Sequence, residues 1–232
     1  MLAMAPSRRQ WAILAALVVA LVILAVLVVA GPLTGADQFS VDHLMPWLDP
    51  SEKRHNSSAG YWRPFSLHVS LGNKLLDSLT YPCSLLISGL VVLFAGHMLW
   101  RRGYRVAAFL PIAAWVIGNG VEWIGKHTLV RPALYGTAEG VRIHVGSFDD
   151  SFPSGHMIRG LLVAYAVVLL WRPAWPWLAL WAVLVGPTLV LESAHTLTDV
   201  VGGALIGLIL VVLMEAAARP ELVRRSRLSR AS

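Results

Sequence analysis

The feature that most constrains this chain is a run of twenty apolar residues at 11–30, WAILAALVVALVILAVLVVA. Twenty residues in an α-helix extend for about 30 Å, which matches the hydrocarbon core of a bilayer. Arg8 and Arg9 precede the run, as they would in a signal peptide, but the apolar region of a signal peptide is usually about 7–15 residues long. The length therefore favours a retained transmembrane helix over a cleaved signal.

Further apolar runs make the pattern that of a polytopic membrane protein. The 232 residues are 56% hydrophobic and only 14% charged, whereas soluble domains usually carry about 25% charged residues. We therefore expect an all-α fold, a six-transmembrane-helix bundle formed by a single membrane-embedded domain over residues 1–232. The five further runs cover about 81–100, 105–125, 157–171, 176–194 and 197–217.

The arginines are concentrated in alternate connections between these runs. In a six-helix topology all of these connections lie on the same side of the membrane as the two termini, and the positive-inside rule makes that side cytoplasmic. The net charge of +6 thus orients the protein in a membrane, and no nucleic-acid partner is expected. The arginines concerned are Arg8, Arg9, Arg101, Arg102, Arg105 and Arg172, with Arg219, Arg224, Arg225, Arg227 and Arg230 in and beside a basic cytoplasmic tail at 218–232.

The opposite side receives residues 31–80, 126–156 and a short turn near 195. Trp47, Tyr61 and Trp62 lie among prolines and mixed charges in 31–80, which we interpret as an extracytoplasmic interfacial segment, because amphipathic aromatic residues settle at the membrane surface. The chain has a single cysteine, which excludes a disulfide framework and a cysteine-rich metal site. The sequence indicates no oligomeric state.

Seven polar residues fall near the outer ends of the third to sixth runs. Ionisable groups at membrane depth are costly, and they are usually functional or paired. Taken alone, each has a structural explanation: a lysine or arginine can extend its charge to the interface, and a histidine and an aspartate four residues apart can pair on a helix. Their convergence on one face instead predicts a site. The seven are Lys126, Arg131, Ser154, His156, Arg159, His195 and Asp199.

The turn PSGH at 153–156 has the chemistry of an anion site. Ser154 is a good N-cap, and Gly155 would let a ligand approach the backbone closely. A helix that opens here directs free N–H groups and the positive end of its dipole at an anion. Arg159 lies on the same side of that helix as His156 and adds further donors, and the charges of Lys126 and Arg131 complete the set.

The two histidines suit phosphoryl transfer without a metal or a cofactor. Asp199 lies one helical turn from His195 and can hold its Nδ1–H, which leaves Nε2 free to act as a nucleophile. His156 then remains to donate a proton to the leaving oxygen.

These residues resemble the three motifs of the type 2 phosphatidic acid phosphatase (PAP2) family, whose site is similar to that of the vanadium haloperoxidases. The motifs appear here as Lys126-HTLV-Arg131-Pro132, Pro153-Ser154-Gly155-His156 and His195-TLT-Asp199, and the resemblance covers about residues 80–215. It implies that His195, oriented by Asp199, attacks phosphorus and that His156 is the acid. It also implies phosphate binding by Lys126, Arg131, Ser154 and Gly155.

Two departures from the family pattern concern the cations. The family usually has six residues between the lysine and the Arg-Pro pair, whereas this chain has four. The Ser-Arg of the third motif is replaced by Thr188 and Leu189, so a phosphate-binding arginine is missing, and Arg159 is the candidate replacement. Glu122, one turn before Lys126, either positions that lysine or forms a structural pair with it, and we do not include it in the site.

The resemblance implies a metal-independent phosphatase that removes the terminal phosphate from a membrane lipid, with its site on the extracytoplasmic face of a bacterial-type inner membrane. Polyprenyl diphosphate, favoured by analogy alone, phosphatidic acid and phosphatidylglycerol phosphate are the candidate substrates. Two alternatives remain: a lipid phosphotransferase that uses the same site, and a non-catalytic transporter or scaffold with a degenerate site. A haloperoxidase is disfavoured, because those relatives are soluble.

Overall fold

The computed structural model describes residues 7–45, 48 and 71–228, and it describes the side chains of these residues except at 71–75 and 225–228. The aromatic residues Trp47, Tyr61 and Trp62 of the proposed interfacial segment lie outside the described residues. The helices are α1 (Arg8–Ala30), α2 (Thr34–Phe39), α3 (Leu71–Thr80), α4 (Leu85–Arg101), α5 (Arg105–Thr128), α6 (Gly155–Leu170), α7 (Trp175–Leu191) and α8 (Leu197–Leu228).

All six predicted apolar runs form helices, but six membrane spans are not confirmed. Within the described part of the chain, four segments are long and apolar enough to cross a membrane: α1, α5, α8, and α7 together with the 3₁₀ turn before it (Arg172–Leu191). A fifth candidate combines α4 with Leu76–Cys83, from which it is bent by 57°. Helix α6 has 16 residues, which corresponds to about 24 Å and is shorter than the hydrocarbon core.

Two helix boundaries differ from the predictions for local reasons. Helix α4 begins at Leu85 and not near 81, because Tyr81–Cys83 form a 3₁₀ turn that contains a proline. Helix α8 runs on to Leu228 through most of the predicted tail, where Glu221 accepts hydrogen bonds from the backbone N–H groups of Arg105 and Ala107 (2.7 and 2.9 Å). These hydrogen bonds attach the tail to the first turn of α5. A carboxylate at this end of a helix interacts favourably with the positive end of the helix dipole.

Helix α6 is central in the bundle and packs against α4, α5, α7 and α8. The main apolar cluster lies where α5, α6 and α8 meet and includes Ala114, Ile158, Leu162 and Leu210. Helix α1 is peripheral: it packs on α8, and most of its apolar side chains are exposed, as expected for a helix that faces lipid.

A short β-hairpin between α5 and α6 was not predicted. Strands β1 (Tyr135–Ala138) and β2 (Val141–His144) pair antiparallel. Their two-residue turn, Glu139-Gly140, has both φ angles positive (50° and 78°), which is the geometry that type I′ hairpin turns require. The all-α prediction therefore needs this correction, since four-residue strands within a polar loop give little periodic signal.

Candidate active site

The start of α6 has the N-cap that the sequence predicts, but the backbone N–H of the N-cap residue is not free. Ser154 is the N-cap, and its Oγ accepts a hydrogen bond from the backbone N–H of Met157 (3.3 Å). The N–H of Ser154 donates to the carbonyl oxygen of Asp199 (3.0 Å), so the start of α6 is attached to α8. Helix α8 can approach this closely because residue 203 is glycine: a Cβ atom there would lie 2.4 Å from the Ser154 carbonyl oxygen.

The two histidines meet, although they come from different parts of the fold. His156 is half-buried in the first turn of α6, and His195 is buried in the connection between α7 and α8. Their ring centroids are 6.1 Å apart, and the rings are inclined at 58°. Two imidazoles at this separation can contact opposite sides of one tetrahedral group.

The carboxylate of Asp199 lies next to the ring of His195. The Nδ1 atom of His195 lies 3.5 Å from Oδ2 of Asp199, and it makes no hydrogen bond with any described residue. Catalytic hydrogen bonds are often long in sites without substrate and shorten when substrate binds. The geometry therefore places the carboxylate where it can accept the Nδ1–H after a small movement.

Asp199 is fixed by donors from three parts of the chain. Its carboxylate is fully buried, and Oδ2 accepts hydrogen bonds from Oγ of Ser151 (2.7 Å) and from the backbone N–H of Thr196 (3.0 Å). Its Oδ1 accepts a hydrogen bond from Nη2 of Arg131. This carboxylate is thus a rigid support for the imidazole.

Arg131 lies between two carboxylates. Besides Asp199, its guanidinium contacts Asp37: Nη1 donates to Oδ2 of Asp37 (2.9 Å) and also to Oγ1 of Thr196 (2.7 Å). Burial raises the pKa of Asp37, while hydrogen bonds from Thr198 and the charge of Arg131 act in the opposite direction. Arg131 is therefore engaged with protein anions, in contrast to the free phosphate donor that the motif predicts.

The other two cations share one carboxylate. Oε1 of Glu122 accepts a hydrogen bond from Nζ of Lys126 (2.8 Å), and Oε2 accepts one from Nη1 of Arg159 (2.6 Å). Arg159 is buried and also donates to the carbonyl oxygen of Cys83 (2.7 Å) and to Oδ1 of Asn119 (2.8 Å). Lys126 is the more accessible of the two, with 27% of its side chain exposed.

The predicted residues thus form two groups that meet at His156. One group contains His195, Asp199 and Arg131, and the other contains Lys126, Arg159 and Gly155. His156 lies 6.1 Å from His195 of the first group, ring to ring, and it directly follows Gly155 of the second group in α6.

The sequence interpretation missed Asp37, Ser151 and Thr196, and it left Glu122 outside the site. The one available signal for Asp37 was a carboxylate seven residues after the end of the first apolar run. Within the described ranges, no three His, Cys, Asp or Glu side chains are grouped in a way that would hold a metal ion.

The sequence also matches a known protein family across the region of these motifs. The model of the PAP2 superfamily matches residues 58–219. The chain belongs to the PAP2 superfamily. All three motifs of this PAP2 protein lie inside the matched region, which confirms the resemblance drawn from them.

The fold of the PAP2 protein is similar to a solved membrane enzyme. It matches the crystal structure of a transmembrane PAP2 type phosphatidylglycerolphosphate phosphatase from Bacillus subtilis with a TM-score of 0.57. The match covers 87% of this chain and 94% of the other, at 20% sequence identity. No curated protein sequence matches the chain.

Proposed function

We propose that this PAP2 protein is a metal-independent phosphatase that removes the terminal phosphate from a membrane lipid phosphate or diphosphate through a phosphohistidine intermediate. The observation that carries the proposal is the pair of imidazoles, His156 and His195, with ring centroids 6.1 Å apart. Oδ2 of Asp199 lies 3.5 Å from Nδ1 of His195. This contact distinguishes His195 from His156 and supports different roles for the two rings.

The reaction runs in two steps. In the first, the Nε2 lone pair of His195 attacks phosphorus, the bond between phosphorus and the lipid oxygen breaks, and His156 gives its proton to that oxygen. In the second, water attacks phosphorus, the P–N bond breaks, and the proton of the water passes to His156. Orthophosphate leaves, and both histidines return to their starting states.

Lys126 and Arg159, with the backbone N–H of Gly155, are the proposed donors for the phosphoryl oxygens. The N–H of Ser154 was predicted to bind phosphate as well, but it donates to the carbonyl oxygen of Asp199 (3.0 Å), so Ser154 better supports a role in attaching α6 to α8. Removal of one such donor from a preorganised site commonly costs about 100-fold or more in rate. The substrate must share Lys126 and Arg159 with Glu122, which already bonds both. Arg131 was predicted to bind phosphate; its contacts with Asp37 and Asp199 better support a role in holding Asp199.

The substrate class follows from the membrane setting. The proposed site lies at the ends of the helices opposite to the arginine-rich connections, so the headgroup would enter from the extracytoplasmic surface while the tail stays in the bilayer. A polyprenyl diphosphate is our first choice, and phosphatidic acid and phosphatidylglycerol phosphate are the other candidates. The related phosphatase from Bacillus subtilis supports a lipid phosphate in general.

The test is phosphate release by the purified full-length protein from a panel of these lipids, with EDTA present and no acceptor supplied. We expect release to survive chelation, and we expect an acid-labile phosphoenzyme after a rapid quench. Release that depends on an added acceptor would instead indicate a phosphotransferase.

Two histidine variants make the test specific. His195→Ala should lose turnover and form no phosphoenzyme, because the nucleophile is gone. His127→Ala is the matched control, since that ring is exposed on α5, hydrogen-bonds the Trp123 carbonyl oxygen (2.7 Å) and stacks on the Trp123 ring, away from both site histidines. Turnover in His195→Ala equal to that in His127→Ala would refute the mechanism.

A further inference from the structure

We propose that Asp37 is a positioning residue of the active site, which holds Arg131 and the start of α8 so that Asp199 faces His195. The inference rests on the proposed function, and it assigns a role to a residue in a segment outside all three PAP2 motifs. Asp37 lies in α2, 94 residues before Arg131 and 161 before Thr198, so that only the folded chain brings them together.

The carboxylate of Asp37 accepts three hydrogen bonds. Its Oδ1 accepts the backbone N–H of Thr198 (3.1 Å), and its Oδ2 accepts Oγ1 of Thr198 (2.7 Å) and Nη1 of Arg131 (2.9 Å). The residue is only 2% exposed. A buried carboxylate with three donors is held in one position, and its removal would leave those donors unsatisfied.

Two of these contacts fix the helix that carries Asp199. Thr198 is the second residue of α8, so its N–H is one of the groups at a helix start that has no partner within the helix. Asp37 supplies that partner from another segment, and its charge favours the positive end of the helix dipole. The next residue of this helix is Asp199, whose carboxylate faces His195.

The contact of Asp37 with Arg131 affects the net charge next to the nucleophile, His195. Arg131 joins Asp37 to Asp199, so that two carboxylates share one guanidinium, and one negative charge is left over when both carboxylates are ionised. That charge favours an imidazole that becomes cationic when it bonds to phosphorus. Without the charge of Asp37, the guanidinium would neutralise Asp199 more completely, and only Thr196 and Asp199 would hold it.

The experiment compares Asp37→Asn with Asp42→Asn in the full-length protein. Asp42 lies in the same segment, is exposed and bonds Gln38 (2.9 Å), so its variant removes an equal charge away from the site. We expect kcat of Asp37→Asn to fall about 10–100-fold, since a displacement of about 1 Å costs about 100-fold. KM should change little, because Lys126 and Arg159 stay in place.

The pH profile separates positioning from general damage. The charged groups on the Asp199 side of the nucleophile are Asp199 on α8, Arg131 in the connection from α5 to α6 and Asp37 on α2, and the titratable ring of His156 on α6 faces it at 6.1 Å. Lys126 on α5 and Arg159 on α6 are the other cations of the site, and both bond Glu122 on α5. Loss of the Asp37 charge makes this set more positive, so the acidic limb of kcat/KM should move to lower pH in Asp37→Asn and stay in place in Asp42→Asn. Loss of fold alone would lower the amplitude without moving the limb.

Each outcome decides the inference. An Asp37→Asn variant with the kcat and pH profile of Asp42→Asn would overturn it, while an active wild type leaves the proposed function standing. If Asp37→Asn does not fold, Thr198→Val removes the hydroxyl contact but keeps the carboxylate, and an unchanged kcat in that variant would also overturn the inference. A wild type that releases no phosphate from any lipid refutes the proposed function and this inference together.

Discussion

The carboxylate of Glu122 lies against the backbone of Gly155, so close that a Cβ atom at residue 155 would be 1.9 Å from it. From the sequence, we predicted that Gly155 lets a ligand approach the backbone closely. The structure shows that a protein carboxylate already occupies the space beside it, between Lys126 and Arg159.

Gly155→Ala should therefore destabilise the protein as well as slow it. The new methyl group must displace a carboxylate that two cations hold, and overpacking of this kind costs about 1–3 kcal/mol. Thermal unfolding in detergent measures the effect. Gly120→Ala on α5 is the control, since a Cβ there meets nothing within 4 Å. A Gly155→Ala variant with normal stability but no turnover would show that ligand approach alone requires the glycine.

Glu122→Gln tests whether this carboxylate competes with substrate phosphate. The amide keeps the size of the side chain but removes the negative charge, which leaves Lys126 and Arg159 with more positive charge for an incoming phosphate. We expect inhibition by orthovanadate to become about tenfold stronger, equivalent to about 1.4 kcal/mol. Weaker inhibition would mean instead that Glu122 mainly positions Lys126, which is the alternative that the sequence left open.

The sequence predicted the parts of this fold and site that depend on local patterns. The apolar runs gave six helices, and the PSGH turn gave the N-cap at Ser154, because composition and capping act over a few residues. The partners of the cations could not be predicted in the same way. Arg131 meets Asp37 across 94 residues, and Arg159 meets Glu122 across 37. These contacts form only when α2 packs against the connection from α5 to α6 and when α5 packs against α6.

Arg159→Ala should lower turnover by about 100-fold or more, because it removes a proposed phosphate donor. It should also destabilise the protein, since Glu122 would lose one of its two cations in a buried setting. Arg159→Ala/Glu122→Gln separates the two effects: the second substitution removes the carboxylate that Lys126 alone would have to neutralise, so stability should recover in part while turnover stays low. Near-normal turnover in the single variant would exclude Arg159 as the substitute for the missing arginine of the third motif.

Glu192 supplies a pH dependence of stability that is independent of catalysis. It follows the last residue of α7, and burial raises the pKa of its carboxyl group from an ordinary 4.5 to about 7, with a smaller contribution from the charge of Asp77. Hydrogen bonds from Oγ1 of Thr80 (3.1 and 3.2 Å) act in the opposite direction. The folded protein therefore holds this proton more tightly than the unfolded chain does.

The sign of the effect follows by linkage. Between about pH 4.5 and pH 7 the folded state binds more protons at Glu192, so its contribution to the free energy of unfolding is full below 4.5 and is lost as the pH rises to about 7. Glu192→Gln cannot titrate, so its midpoint of thermal unfolding minus that of the wild type should rise across this range and level off above it. A difference that stays constant from pH 4.5 to pH 7 would show that Glu192 has an ordinary pKa in the folded protein.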